Sequence, residues 1–381
     1  MSQTAAPAAA QEGGPATQPP PRRRLAFHSL RVQEIRELTA DAVEVAFAVP
    51  EALAQEFSFV PGQHIAVRTR IDGHEVRRSY SLCAPPDGRQ LRIGVKETPD
   101  GLFSSFVRRE LTVGDELEVM NPQGTFTSEV QSGRIVAIAA GSGITPVMAL
   151  GAAALREKPG CTFTLVYANR SSADVMFLEE LADLKDRYPV RFDMHHVLSA
   201  EGRSAELYSG RIDAPKLDAL LTHLVPPETV DEWFLCGPLP LVELARTHLD
   251  ARGVERARIR FELFNTGRPG EDRAPAPRRA RPDEETGPKA SIRFTLDGRT
   301  GTVRTPRRSP ETILAAALRT RPDVPYACAG GVCGTCKAKL CAGTVDMADN
   351  FALEPDELAA GYVLTCQSTP TSEVVDVDYD Q

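Results

Sequence analysis

Four of the eight cysteines stand in an order that suits iron chemistry better than a disulfide framework. The run Cys328-Ala329-Gly330-Gly331-Val332-Cys333-Gly334-Thr335-Cys336 spells C-x4-C-x2-C, and 29 residues separate Cys336 from Cys366. Thiolates are soft, anionic ligands. This spacing is that of a plant-type [2Fe–2S] cluster, whose two irons take four protein ligands in all: Cys328, Cys333, Cys336 and Cys366. A zinc site more often shows two C-x2-C pairs, and here there is one. Gly330, Gly331 and Gly334 let the backbone curl tightly and turn N–H groups toward sulfur, which tunes a cluster's potential. Cys83, Cys161 and Cys236 are scattered. Cys341, on a predicted strand, is expected to be packed and non-ligating.

Two further groups suit a bound nucleotide. Gly141-Ser142-Gly143-Ile144-Thr145-Pro146 follows the apolar run 134–140 and opens a predicted helix. It reads G-x-G-x-x-P, not the G-x-G-x-x-G of a standard dinucleotide fold. Glycines still permit a tight turn and close approach of a pyrophosphate. Thr145 is expected to cap the helix and Pro146 to fill its first turn, and the helix end carries roughly half a positive charge. After the next strand comes Asn169-Arg170-Ser171-Ser172. No carboxylate is expected at that tip to hold a ribose 2′-hydroxyl, whereas Arg170 and Ser171 suit a 2′-phosphate, which favours NADPH over NADH. In the first third of the chain, Arg78-Ser79-Tyr80-Ser81 ends a predicted strand. Alternation puts Arg78 and Tyr80 on one face, a cation and a ring for a ligand with phosphates at one end and a flat ring system at the other.

The elements that must position these residues fall into blocks. Residues 25–128 hold short alternating runs broken by Pro61-Gly62, Asp72-Gly73 and Pro86-Asp87-Gly88, the pattern of an antiparallel β-barrel. A helix is expected between Leu102 and Glu110. Residues 133–265 alternate apolar strands with helical segments (helices near 147–156 and 176–187, strands near 162–167, 192–198 and 232–236), which predicts an α/β doubly wound parallel sheet. Residues 266–288 are Pro-rich and charged and cannot build a core, so they read as a linker. From 289 to 381 a hairpin with Asp297-Gly298, a helix near 311–318 and the cysteine loop predict a compact α+β module. Residues 1–24, rich in Ala, Pro, Gln and Gly, read as a disordered tail without the apolar segment of a secretory signal, and the protein as cytoplasmic. A formal net charge of -8 over 381 residues excludes a generally basic nucleic-acid footprint. No apolar run reaches the roughly 18 residues of a membrane span.

Arg78-Ser79-Tyr80-Ser81 resembles the flavin motif of the ferredoxin–NADP reductase superfamily. The resemblance implies that Arg78 meets the flavin phosphates, Tyr80 packs on the isoalloxazine and Ser81 lies near flavin N5, with Ser79 in the same cofactor-binding stretch. Gly101-Leu102-Phe103-Ser104 resembles the second flavin-phosphate segment, although Asp100-Gly101 stands where two glycines are frequent. Ser104 there would join a hydroxyl to a helix N-terminus. Cys236-Gly237-Pro238 resembles the triplet that lies beside the nicotinamide, so Ser81 and Cys236 are the implied catalytic residues. The order of flavin barrel, nucleotide domain and C-terminal β-grasp ferredoxin domain resembles that of oxygenase reductases.

Longer strings narrow the resemblance. They are 78–83, Tyr167-Ala168-Asn169-Arg170-Ser171, Glu262-Leu263-Phe264-Asn265 and 353–367. Over residues 25–381 they resemble the reductase family of phenylacetyl-CoA epoxygenase (ring 1,2-epoxidase) complexes. This implies FAD, NADPH and an iron-containing oxygenase partner of phenylacetate degradation. Departures are Ala329, where many relatives carry a longer side chain, and a longer charged linker. Reductases of steroid ring hydroxylases share the domain order; phthalate-type dioxygenase reductases share it but use FMN. A redox-sensing iron–sulfur regulator is the alternative of another class, and no DNA-binding or effector module accompanies it here. Leu340–Gln381 has nine carboxylates and no Lys or Arg, a charge pattern that suits steering toward a basic partner.

Overall fold

The computed structural model describes the backbone of residues 3–5, and residues 25–99, 101–202, 205–264, 289–307 and 310–381. The expected linker, 266–288, lies outside the described residues, as do Asp100, Asn265 and the expected tail apart from 3–5. The chain divides into two compact units, Phe27–Gly267 and the C-terminal segment from Arg268 together with the N-terminal residues. The first strand, β1 (Gln3–Ala5), belongs to that second unit.

In the larger unit, six strands come first: β2 (Phe27–Thr39), β3 (Ala42–Ala48), β4 (His64–Ile71), β5 (His74–Ser81), β6 (Gln90–Lys96) and β7 (Glu116–Met120). They form an antiparallel sheet in the order β5-β4-β7-β2-β3-β6. A bridge between Leu82, just past β5, and Ile93 on β6 joins the two outer strands and closes the barrel. Alternate residues, such as Val43, Val45 and Phe47 on β3 and Ile65 and Val67 on β4, fill its interior. Asp72 and Gly73 both have positive φ (50° and 79°), as a type I′ hairpin between β4 and β5 requires. Helix α1 (Leu102–Arg109) packs Phe103 and Val107 into the same core.

The other half of this unit is a parallel sheet of β8 (Ser132–Ala140), β9 (Gly160–Asn169), β10 (Phe192–Leu198), β11 (Glu232–Cys236) and β12 (Ile259–Glu262), in the order β10-β9-β8-β11-β12. Helices α2 (Ile144–Glu157), α3 (Leu178–Arg187), α4 (Ala214–His223) and α5 (Leu239–Ala251) connect successive strands. From β8 the chain moves one way to β9 and β10, then returns to place β11 on the opposite side of β8. That reversal opens a crevice at the carboxyl ends of β8 and β11, where ligands of doubly wound sheets bind. Arg36 on β2 pairs with Glu44 on β3 and with Glu180 on α3, so one guanidinium ties the barrel to the parallel-sheet half.

The second unit holds a mixed sheet ordered β14-β13-β19-β15-β17: β13 (Lys289–Leu296), β14 (Arg299–Pro306), β15 (Lys337–Ala342), β17 (Tyr362–Leu364) and β19 (Val374–Asp378). β13 pairs parallel with β19 and antiparallel with β14. The helix Ile313–Leu318, capped by the Thr312 hydroxyl on the N–H of Ala315, packs its apolar face on this sheet, which is the β-grasp arrangement. A smaller sheet joins β1, β16 (Val345–Met347) and β18 (Ser368–Pro370). No helix among the described residues is long and apolar enough to cross a membrane.

Candidate functional site

The C-x4-C-x2-C loop runs between the helix Ile313–Leu318 and β15, and Cys366 follows β17. Cys336 and Cys366 are buried, while Cys328 and Cys333 are partly exposed. The four thiols stand as two pairs. Cys328 is hydrogen-bonded to Cys333 and Cys366 to Cys336, and in each case this contact, followed by burial, holds the thiol well above its ordinary range. Two pairs match what two irons need, two thiolates apiece. No three His, Cys, Asp or Glu side chains among the described residues converge on one point as a single ion would need.

The backbone is built to wrap such a group. Ala329, Gly331 and Gly334 have φ of 54°, 79° and 70°, and the Gly330 N–H points at Cys328 Sγ at 3.4 Å. The Thr335 hydroxyl lies 3.1 Å from Cys333 Sγ. Below the loop, buried Tyr379 donates to Thr365, which donates to the Cys336 carbonyl at 2.9 Å and so anchors two candidate ligand positions. These residues fit a [2Fe–2S] cluster. Cys341 is not packed as expected: it lies on β15 but is exposed, because the pairing with β19 slips between Leu340 and Ala342 and turns it outward.

In the larger unit, the crevice at β8 and β11 collects residues from both halves. Gly141 has φ +53° and open space where a side chain would stand, with its carbonyl held by the phenol of buried Tyr167 at 3.0 Å. A Cβ on Gly143 would fall 2.2 Å from the Cys236 carbonyl oxygen, so only glycine lets this turn press against Cys236-Gly237. The helix starts earlier than expected. Residues 141–143 form a 3-10 turn that runs into α2 at Ile144, and Gly143 takes the N-cap place. Thr145 is therefore inside the first turn, its hydroxyl donating back to the Ser142 carbonyl at 3.1 Å, and caps nothing. No side chain caps α2, which leaves its first N–H groups for a ligand. Asn169, at the end of β9, is buried beside the Tyr167 phenol, and neither its amide nitrogen nor its oxygen makes a well-formed hydrogen bond among the described residues. A buried amide without well-formed hydrogen bonds is costly, so a polar ligand in this crevice fits.

The 2′-position tip differs from expectation. Arg170 is exposed, but carboxylates do stand there. Ser171 donates to Asp174 at 2.5 Å, and the hydroxyl and N–H of Ser172 both reach Glu201 at 2.9 and 2.7 Å. Asp174 folds back through the turn 172–174, and Glu201 arrives from beyond β10. The Ser171 hydrogen bond holds the Asp174 carboxyl below its usual range.

The flavin-motif residues lie on β5 and α1. The ring of Tyr80 stands 5.5 Å from that of Phe103, centroid to centroid. Gly101 is the N-cap of α1 with no side-chain cap, and a Cβ there would lie 2.2 Å from the Thr98 hydroxyl. Ser104 does not lead the helix. Its buried hydroxyl turns back to the Gly101 carbonyl and to Thr98, both at 3.2 Å, so it shapes the loop while exposed Leu102 begins the turn. The Ser79 hydroxyl is buried without a partner among the described residues, a polar atom that suits a phosphate- or ring-bearing ligand. Arg78 donates to the Arg77 carbonyl.

Ser81 reaches across to Glu262, which the sequence offers within the string 262–265 but without a site role. Its hydroxyl donates to Glu262 at 2.7 Å, and the other Glu262 oxygen lies 3.7 Å from His64 Nδ1. Burial first, then the Glu262 carboxylate, hold the Cys236 thiol well above its ordinary range, so it stays a neutral thiol. Buried Ser81, His64 and Cys236 and half-buried Glu262 thus form one polar group between barrel and parallel sheet.

Comparisons with known proteins agree with this architecture. The model of the oxidoreductase FAD-binding domain matches residues 29–128, that of the oxidoreductase NAD-binding domain 137–247, and that of the 2Fe-2S iron-sulfur cluster binding domain 294–371. One component of the 1,2-phenylacetyl-CoA epoxidase of Escherichia coli K12 is 43% identical over 365 residues, 93% of this chain and 98% of that protein. The ferredoxin reductase component of 3-ketosteroid-9-alpha-monooxygenase from Rhodococcus rhodochrous is 34% identical, over 92% and 96%. The solved structure of phthalate dioxygenase reductase shares the fold at a TM-score of 0.55 and 22% identity, over 92% of this chain and 98% of that one. The cofactor set is accordingly FAD, a pyridine nucleotide and a [2Fe–2S] cluster. The chain belongs to the oxidoreductase family of that 1,2-phenylacetyl-CoA epoxidase component.

Proposed function

We propose that this chain is the NADPH-dependent reductase of a multicomponent oxygenase, and that its partner is the oxygenase of a phenylacetyl-CoA 1,2-epoxidase complex. The likeness along nearly the whole of both chains to the Escherichia coli epoxidase component carries this reading. The 3-ketosteroid monooxygenase reductase, at 34% identity, supports the alternative of a steroid ring hydroxylase partner. In this reading residues 25–128 bind flavin, 133–265 bind the nucleotide and 289–381 hold the cluster. Bound flavin and cluster supply the conversion of a two-electron donor into single-electron delivery.

The chain's own residues bind, orient and shield. Gly141, Ser142, Gly143 and Gly237 let a pyrophosphate approach the open end of α2, with Asn169 meeting a polar group of the nucleotide. Arg170 reads the 2′-phosphate, while Asp174 and Glu201 hold Ser171 and Ser172 in place beside it. Arg78 and the N-terminus of α1 take the flavin phosphates, and Tyr80 and Phe103 flank the ring side. Ser81 and Cys236 line the place where nicotinamide meets flavin. Glu262 fixes the Ser81 hydroxyl, and the neutral Cys236 thiol puts no charge beside a developing cation. Cys328, Cys333, Cys336 and Cys366 hold the two irons.

The test is an anaerobic titration of the purified protein with NADPH and with NADH, read by visible absorbance. Candidate oxygenases are then added with phenylacetyl-CoA or with a 3-ketosteroid. Turnover of phenylacetyl-CoA alone is expected. Turnover of the steroid alone assigns the other partner, and a protein without flavin absorbance overturns the reading. Arg170→Ala is expected to lower kcat/KM for NADPH about tenfold, the loss of a charge-assisted hydrogen bond, with NADH unchanged.

A further inference from the structure

One side chain beside the cysteine loop joins the first ligand segment to the last. Gln367 follows Cys366, and its amide nitrogen donates to the Ala329 carbonyl at 2.9 Å and lies 3.7 Å from Cys366 Sγ. A carbonyl oxygen only accepts, so the amide nitrogen, not its oxygen, faces the loop. Its two hydrogens serve the two contacts. Ala329 is in the left-handed region at φ 54°, a conformation that non-glycine residues hold only when the surroundings enforce it. The stem of Gln367 fills the space beside the loop as well: a Cβ on Gly331 would stand 2.9 Å from Gln367 Cγ. The Gln367 carbonyl accepts from the Ala348 N–H at 3.0 Å, which fixes the residue's own backbone.

We propose that Gln367 is a positioning residue for the [2Fe–2S] cluster. It clamps the Cys328 loop onto Cys366 and donates a hydrogen bond to the Cys366 sulfur that raises the cluster's reduction potential. This rests on the reading of Cys366 as an iron ligand. Adding an electron makes the ligand sulfurs more negative, so an N–H donor stabilises the reduced cluster more than the oxidised one. Through Ala329 the same amide holds the turn that carries Cys328.

The test uses the full-length holoprotein with Gln367→Met, which keeps the stem and removes the donor, and Gln367→Glu, which keeps the shape and replaces donor by acceptor. Redox titration of the cluster is followed by visible absorbance and paramagnetic resonance, and iron release to a chelator by its rate. At a fixed poise Gln367→Met is expected to lower the ratio of reduced to oxidised cluster about threefold, and Gln367→Glu to lower it further. Both are expected to release iron faster, with the flavin absorbance unchanged. Wild-type titration curves and release rates in both variants overturn the proposal. So does a Gln367→Glu protein of wild-type potential when Gln367→Met assembles no cluster. A wild-type protein that purifies with zinc and no iron overturns the ligand reading itself, an outcome visible before any variant is made.

Discussion

Glu262 shows how a single residue gains a role from its neighbours. Its carboxylate has 13% side-chain exposure, accepts from Ser81 and pushes the Cys236 thiol upward, yet it stands 181 positions from Ser81. Glu262→Gln keeps the shape and removes the charge. A charge-assisted hydrogen bond contributes about 1.5–3 kcal/mol, so the nucleotide-dependent reduction step is expected to slow roughly ten- to a hundredfold. KM is expected to change little, and rapid-mixing absorbance separates the two effects. The candidate cysteine ligands and the glycines stand out in the sequence because their spacing is local. Glu262 and Asn169 stand inside quoted strings without a role of their own, and the Asp174–Glu201 tip in none, since the neighbours of each are groups that only the folded sheet brings near.

At the scale of elements, the reversal of strand order at β8 decides where a ligand enters. Two strand ends meet there so closely that Gly143 has no room for a methyl group against the backbone of Cys236. Gly143→Ala is expected to cost about 1–3 kcal/mol of stability, the usual range for overpacking a tight contact. It is also expected to raise KM for the nucleotide while leaving the cluster absorbance unchanged. Urea midpoints and steady-state rates check both. Strand and helix types were readable from periodicity, and the strands at 192–198 and 232–236 stand where the pattern put them. Helix starts were less so. α2 begins at Ile144 because a 3-10 turn through the glycines feeds it, and α3 begins at Leu178 after Phe177 turns through φ 59°. Neither capping device uses a residue that announces itself.

Two units make up the molecule, and in the proposed function their chemistry is separable in the same way. Cys366→Ser is expected to abolish the cluster signal and reduce delivery to an oxygenase roughly a hundredfold. Nucleotide-dependent reduction of a two-electron dye by the larger unit is expected to stay within about twofold. The larger unit also carries a pH dependence. Burial raises the Cys83, Cys161 and Cys236 thiols and the Tyr167 phenol above their ordinary values. The folded chain therefore keeps these protons while the unfolded chain releases them, so stability is full below the ordinary thiol value near 8.5 and falls as pH rises past it. The urea midpoint of this unit is expected to decline between about pH 8.5 and 10, and less steeply in a Cys83→Ala, Cys236→Ala double variant.

The amino-acid sequence by itself determined what is local. It set the spacing of the candidate ligand cysteines, the glycines that permit close turns, and the periods that mark strands and helices. Only the tertiary structure decided which distant groups meet: Ser81 with Glu262, Ser172 with Glu201, and Gln367 with Ala329. It also turned Cys341 outward through one slipped pairing on β15. The physical reason is that side-chain periodicity tells which face a residue takes but not which strand lies beside it. Strand order and register, set by burying all the apolar faces at once, supply the partner.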